Sequence, residues 1–203
     1  MIPFPIATKQ KCDIQQFYSN SSWNKPVGVS HVYMLLIGGG GTGDGTTGGG
    51  SSSVHVWYGA AQNVPDSLVV TVSFGDSSAS TISYRGASSN AITFVTAGAG
   101  SGINAGPAAS SNYFSASGFF SSTAGQAGSA SNRSVSGTTF LSGGANNISV
   151  TANYGYQTTG SGYFQLQPII VGVGGVGGRN GGIGCGGGST GIGGRGFVLI
   201  ASW

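Results

Sequence analysis

Val171-Gly-Val-Gly-Gly-Val-Gly-Gly-Arg-Asn-Gly-Gly-Ile-Gly-Cys-Gly-Gly-Gly-Ser-Thr-Gly-Ile-Gly-Gly-Arg-Gly-Phe-Val-Leu-Ile-Ala-Ser-Trp203 runs a glycine tract straight into an apolar strand. Glycine loses more backbone entropy on folding than any other residue, about 0.5–1 kcal/mol per position relative to alanine, so a tract this long stays ordered only if something offsets that loss. A Gly-rich run ordinarily reads as a flexible linker. Here, however, the strand that follows must return to pair with the body, so the tract begins and ends in one structure. Glycine backbones can approach closely and hydrogen-bond to one another, and we therefore expect glycine segments packed side by side as extended helices. The spacing agrees, since Val173, Val176, Arg179 and Cys185 recur at multiples of three, and Ile183, Ile192 and Arg195 do so in a shifted phase. Three residues per turn is the repeat of polyproline II.

Working outward, His31-Val-Tyr-Met-Leu-Leu-Ile37 is a β-branched and aromatic run that enters a second tract, Gly38 to Gly50, and reads as a buried strand. The terminal strand is expected to pair with it, because both abut glycine on the same side. Val54, Val56 and Tyr58 alternate with His55 and Trp57, and Leu68, Val70, Val72 and Phe74 alternate with Val69, Thr71 and Ser73. Joined through Asn63-Val-Pro-Asp, these two runs read as a hairpin, with His55 and Trp57 on an exposed face and Phe74, Tyr84, Phe94, Phe164 and Phe197 in the core. Further short strands are predicted at 81–85, 91–96, 148–152, 163–167 and 169–173. No window sustains a 3.6-residue apolar period. The fold class is therefore all-β, a sandwich-like body of short strands with packed glycine segments and almost no helix.

The 203 residues form one glycine-rich domain, residues 23–203, preceded by an arm at residues 1–22. Pro3 and Pro5 keep the start of the arm extended; it reads either as a docking arm or as a frayed terminus. Residues 98–142 are rich in Ser, Ala and Gly with isolated aromatics. They are an exposed excursion or further glycine packing anchored by those rings.

Composition narrows the chemistry. Charged residues make up 5% of the chain against about a quarter in an ordinary domain, and the net charge of +3 reflects four acids rather than many bases. Lys9, Lys11, Lys25, Arg85, Arg133, Arg179 and Arg195 are scattered, without the basic stripe that nucleic acid requires. There is no Glu, and the four Asp lie in the arm, a glycine loop and turns, which argues against a paired-carboxylate hydrolase. No Gly-x-Ser-x-Gly elbow accompanies His31 or His55, no ligand spacing suits a metal, and the Gly-x-Gly-x-x-Gly matches lack a following helix. No catalytic residue, metal or cofactor is expected. Two cysteines, Cys12 and Cys185, are too few for a disulfide framework and read as thiols. No apolar run reaches the length of a membrane helix, and the start carries no signal-peptide pattern, so no membrane insertion or cleaved export is expected. What is left is recognition by a surface of aromatic anchors among Ser, Gly and Asn.

Trp23-Asn-Lys-Pro-Val-Gly-Val-Ser-His-Val-Tyr-Met-Leu-Leu-Ile-Gly-Gly-Gly-Gly41, the turn at Asn63-Val-Pro-Asp66 and the ending Gly193-Gly-Arg-Gly-Phe-Val-Leu-Ile-Ala-Ser-Trp203 together resemble the glycine-rich domains of bacteriophage virion proteins, notably those at the ends of tail fibres and tail-tip adhesins. The resemblance covers about residues 23–75 and 168–203. It implies a non-enzymatic head on the virion surface, a spike, fibre tip or adhesin made in the infected bacterium's cytoplasm. Such a head commonly forms a trimer, and its loops contact a host-surface glycan or protein. With an arm and no fibre shaft, the chain fits a free-standing virion protein attached to other virion proteins through that arm. The expected receptor contacts are Asn112, Tyr113, Phe114, Phe119, Phe120 and Asn132, and the expected particle contacts are Phe4, Lys9, Lys11 and Phe17. The alternatives are a purely structural minor capsid or decoration protein and a glycan- or ice-binding module.

Overall fold

The computed structural model describes residues 12–76, 78–85, 91–108, 118–130, 141, 144–145, 156–157, 163–166, 169–172 and 174–203. Their regular elements are strands and one 3-10 turn, Ala61–Asn63. The strands are β1 (Asp13–Phe17), β2 (Ser21–Asn24), β3 (His31–Ile37), β4 (Val54–Ala60), β5 (Ser67–Thr71), β6 (Ser80–Arg85), β7 (Ala91–Ala97), β8 (Gly118–Thr123), β9 (Tyr156–Gln157), β10 (Tyr163–Leu166), β11 (Ile169–Gly172), β12 (Gly174–Gly175) and β13 (Phe197–Ser202). A five-stranded antiparallel sheet runs β1-β13-β3-β4-β8, and a four-stranded antiparallel sheet runs β2-β5-β6-β7. The small pairs β10-β11 and β9-β12 stand outside these sheets.

The core between the sheets joins Val32, Met34, Leu36, Trp57, Val198 and Ile200 of the first sheet to Trp23, Leu68, Val70, Ile82 and Val95 of the second. A second cluster covers the opposite face of the five-stranded sheet, where Leu35, Ile37, Val54, Phe197 and Leu199 meet Leu141, Cys185 and Ile183. Strands β3 and β13 are thus buried on both faces, which is why they read as continuous apolar runs rather than alternating ones. The predicted pairing of β13 with β3 is observed in register, Phe197 opposite Ile37 and Ser202 opposite Val32.

Both glycine tracts leave the same end of this sheet and form a bundle. Hydrogen bonds run from Gly40 N to Gly194 O and from Gly43 N to Gly191 O, from Gly49 N to Gly187 O and from Ser52 N to Gly184 O, and from Gly48 N to Ser129 O and from Ser51 N to Gln126 O. In each pair the donor advances by three residues while the acceptor retreats by three, which is the repeat of antiparallel polyproline II helices rather than the two-residue repeat of strands. The segment 48–53 bonds to partners in 38–41, 98–106, 126–129 and 184–187. A strand in a flat sheet has two neighbours; these segments have more, as a bundle of three-sided helices allows. The expected packing of the tracts is therefore observed.

Several expectations are corrected. The alternating runs at β4 and β5 are not a hairpin: β4 pairs with β3 and β8, and β5 with β2 and β6. Each run buries an apolar face, and those faces oppose each other across the core instead of lying side by side. The crossover between them is pinned by Lys25, whose Nζ donates to the carbonyls of Ala61 and Val64 and pairs with Asp66 at 2.8 Å. His55 and Trp57 lie inward, not on an exposed face, because the space between the sheets accommodates the Trp57 ring. Phe74, expected in the core, is 72% exposed; β5 has ended, and the chain turns at Gly75, φ 113°. Residues 13–17 and 21–24 belong to the two sheets and not to an arm. Phe17, expected to touch the particle, is 8% exposed in the core, since β1 must cover the otherwise unpaired edge of β13. Within 98–142, residues 98–106 and 124–129 join the bundle and 118–123 form β8, so the described part is integral rather than an excursion.

Candidate functional site

At the end of the five-stranded sheet away from the glycine bundle, the outward positions are aromatic. Tyr33 stands opposite Tyr58 on β4, and Tyr58 opposite Phe119 on β8. Phe119 is 64% exposed and Tyr58 37%. Beside them the rings of His31, Tyr58 and Trp203 have centroids 5.6, 5.7 and 6.0 Å apart, with planes within 20° of parallel. Three parallel rings stacked in a column would have one separation twice the others. These three distances are nearly equal, so the rings step across the surface as a tile.

The tile is held by backbone. Ser30 N and His31 N both donate to the Trp203 carbonyl, at 2.6 and 2.9 Å, and Trp203 N donates back to His31 O at 3.1 Å. The Ser30 hydroxyl donates to the same carbonyl at 3.2 Å and lies 2.9 Å from His31 Nδ1. With its hydrogen on the carbonyl, that hydroxyl is placed to accept from an Nδ1–H of His31. Burial raises the Tyr33 phenol above its usual range and keeps it neutral. The face can therefore offer rings and hydrogen-bonding groups held rigid from beneath, which suits recognition of another surface.

A second histidine sits in the join between sandwich and bundle. His55 is buried, its Nε2 is 3.2 Å from both Ser53 Oγ and Ser122 Oγ, and its ring lies 5.7 Å from that of Phe120. Burial pushes its pKa down to about 4, so it is neutral near pH 7. Nδ1 has no partner. A serine beside an imidazole is part of a hydrolytic set, but here the buried ring has no carboxylate to orient it, its Nδ1 being without a partner. Its role is to fasten the bundle residue Ser53 to β4 and β8.

At the tip of the first tract, Asp44 accepts from Thr46 N, Thr46 Oγ1 and Thr47 N at 2.7–3.0 Å. These bonds hold its carboxyl below the usual range. Among the described residues no three His, Cys, Asp or Glu side chains gather as a metal site, and the two thiols are not bridged, Cys12 being exposed and Cys185 buried.

Of the expected receptor contacts, Phe119 lies on the aromatic face, whereas Phe120 is half-buried against His55. Asn112, Tyr113, Phe114 and Asn132 lie outside the described residues, as do the expected particle contacts Phe4, Lys9 and Lys11. His31, Tyr33, Tyr58 and Trp203 were not singled out from the sequence. The signal was available: once the terminal strand is paired with β3, the register sets Trp203 beside His31. No family model and no curated protein matches this chain.

Proposed function

We propose that this chain is a non-enzymatic surface protein of a bacteriophage virion that takes part in host recognition. The observation that carries the recognition part is the aromatic face, with Phe119 and Tyr58 exposed next to a tile whose backbone is locked to Trp203. Leaving a large ring in water forgoes about 1.5–3 kcal/mol of burial, so rings kept outward on a rigid sheet are available to a partner. The virion assignment rests on the resemblance of residues 23–75 and 168–203 to phage glycine-rich domains. The bundle supports it as a scaffold: its backbone hydrogen bonds hold the adjoining sheet without long side chains. The chain attaches to other virion proteins through residues 1–11. It works as a homo-oligomer, with a trimer as the first arrangement to test.

Purified full-length protein incubated with a panel of bacterial strains is expected to be retained by at least one. Retention is expected to be lost when Tyr58 and Phe119 are both replaced by Ser. Deleting residues 109–117, which precede β8 in sequence, should weaken adsorption while leaving particle assembly intact. Deleting residues 2–11 should do the reverse. If no strain retains the protein, a purely structural decoration role replaces this one. Light scattering that gives only the 20.0 kDa monomer would remove self-assembly of the free protein.

A further inference from the structure

A cleft of about 400 Å³ lies where the glycine bundle meets the edge of the five-stranded sheet, lined by Tyr18, Phe74, Ile183, Asn180 and Arg195 over a floor of Gly181, Gly182, Gly193 and Gly194. It sits at the opposite end of β13 from the aromatic tile, because Arg195 precedes that strand and Trp203 follows it. Its floor is bare backbone. A Cβ on Gly194 would fall on the Gly182 carbonyl, so the segments are as close as peptide groups allow, and no side chain fills the space above them.

The walls are rings held in place. Ser73 Oγ accepts from Gly75 N at 3.2 Å and donates to Gly75 O at 3.1 Å, while Ser73 O accepts from Gly196 N at 2.8 Å. The backbone on both sides of Phe74 is therefore pinned, and the ring is displayed outward from a fixed turn. Tyr18 packs on Phe197 at 5.1 Å, and its hydroxyl donates to Gln16 Oε1 at 3.0 Å. The polar groups are donors. Arg195 is exposed and makes no ion pair among the described residues; the ion pair there is that of Lys25 with Asp66. Asn180 Oδ1 accepts from Ile192 N at 3.0 Å, which leaves its NH2 to donate. The carboxylate of Asp76, a short way along from Phe74, accepts from Thr42 N at 3.1 Å.

We propose that this cleft binds a hexuronic acid residue of an acidic polysaccharide. The carboxylate meets the Arg195 guanidinium and the Asn180 amide, and the apolar face of the pyranose lies against Phe74 and Tyr18. A planar guanidinium is shaped for a two-oxygen acceptor. Two exposed rings, Tyr18 and Phe74, line the cleft above a floor of glycine backbone. The volume is at the small end of ligand sites, where one or two sugar rings fit. A neutral sugar would leave the guanidinium without its counter-charge, and a small inorganic anion would leave the rings unused. This site is separate from the aromatic face and does not depend on it.

The test is calorimetric titration of the full chain with trigalacturonate, beside the same oligosaccharide reduced at its carboxyls to the neutral galactose form. Saturable binding of the acidic form is expected, with the reduced form weaker by about 10- to 100-fold, the range of a charge-assisted hydrogen bond. Arg195→Gln should weaken the acidic form by a similar factor and leave the neutral form unchanged, and Phe74→Ser should weaken both. Val27→Ser, exposed and lining neither the cleft nor the aromatic face, should change neither. Both Arg195 and Phe74 are exposed, so these variants are expected to keep the fold, which circular dichroism checks. No binding of trigalacturonate, equal binding of the two sugars, or an unchanged affinity in Arg195→Gln each overturns the proposal.

Discussion

The sandwich and the glycine bundle are made by one chain on opposite principles. Between the sheets, cohesion comes from large side chains, with Trp23, Trp57, Leu68 and Ile82 fully buried. In the bundle it comes from backbone alone, with hydrogen bonds repeating every three residues between segments too close for a Cβ. The first region is damaged by removing atoms and the second by adding them. The five-stranded sheet belongs to both, since one face meets the inter-sheet core and the other meets Cys185 and Ile183 of the bundle. The difference explains how the glycines of the bundle are held in place: the entropy lost per glycine is offset where its peptide groups find partners.

The largest expected effect breaks the sandwich side. Trp57 is 0% exposed and faces the second sheet, so Trp57→Ala removes its contacts and leaves a cavity, and should cost about 3–5 kcal/mol. Chemical denaturation measures it. A loss below about 1 kcal/mol would mean that the bundle, and not the core, dominates global stability.

The next effect lies at the join. His55 has a pKa of about 4 when folded and about 6.5 when unfolded. Below pH 6.5 the unfolded chain takes up a proton that the folded chain refuses, so the stability that neutral His55 contributes is complete above pH 6.5 and is lost as pH falls towards 4. The two pKa values set a ceiling of about 3 kcal/mol. His55→Gln should flatten this part of the pH profile relative to the parent, measured as unfolding midpoints between pH 4 and 7. An identical slope in both proteins would show that His55 charges without unfolding its surroundings.

How much of this was legible follows from the same contrast. Strands such as β3, β6, β7 and β13 were readable because β-branched runs ended by glycine leave few other options. Side-by-side glycine packing was readable because a tract with both ends in one structure must find partners. Alternation failed for β4, since a sheet covered on both faces gives no sign of which side is in: Val54 is buried as well as His55 and Trp57. It failed for Phe74 because parity stops where the strand stops. The three-residue spacing of Val176, Arg179 and Cys185 put no common face inward. Val176 and Cys185 are buried and Arg179 is exposed, because turns at Gly177 and Gly184, φ 56° and 68°, reset the phase. The aromatic tile needed the register of β13 on β3 as well as the pairing, and the cleft depends on the packing of 181–183 against 193–195, which composition does not encode.

The smallest effects sharpen the contrast within one residue type. Gly194→Ala places a methyl group on the Gly182 carbonyl, with backbone on both sides and no flexible side chain to move aside. Overpacking of this kind should cost about 1–3 kcal/mol. Gly28→Ala meets nothing within 4 Å, but Gly28 has φ +84°, a left-handed conformation that residues with a Cβ rarely adopt. Its cost is backbone strain of about 1–2 kcal/mol, partly offset by about 0.4–1 kcal/mol from the stiffer unfolded chain, a net of about 0–1.6 kcal/mol. Two substitutions identical in chemistry should thus differ in origin. The Gly194 penalty is steric, so Gly194→Ser should be at least as damaging. The Gly28 penalty is conformational, so Gly28→Asn, which tolerates positive φ, should recover most of it. A smaller loss for Gly194→Ala than for Gly28→Ala in thermal melts, or rescue of Gly194 by Asn, would show that the bundle yields to side chains and is not held by close backbone contact.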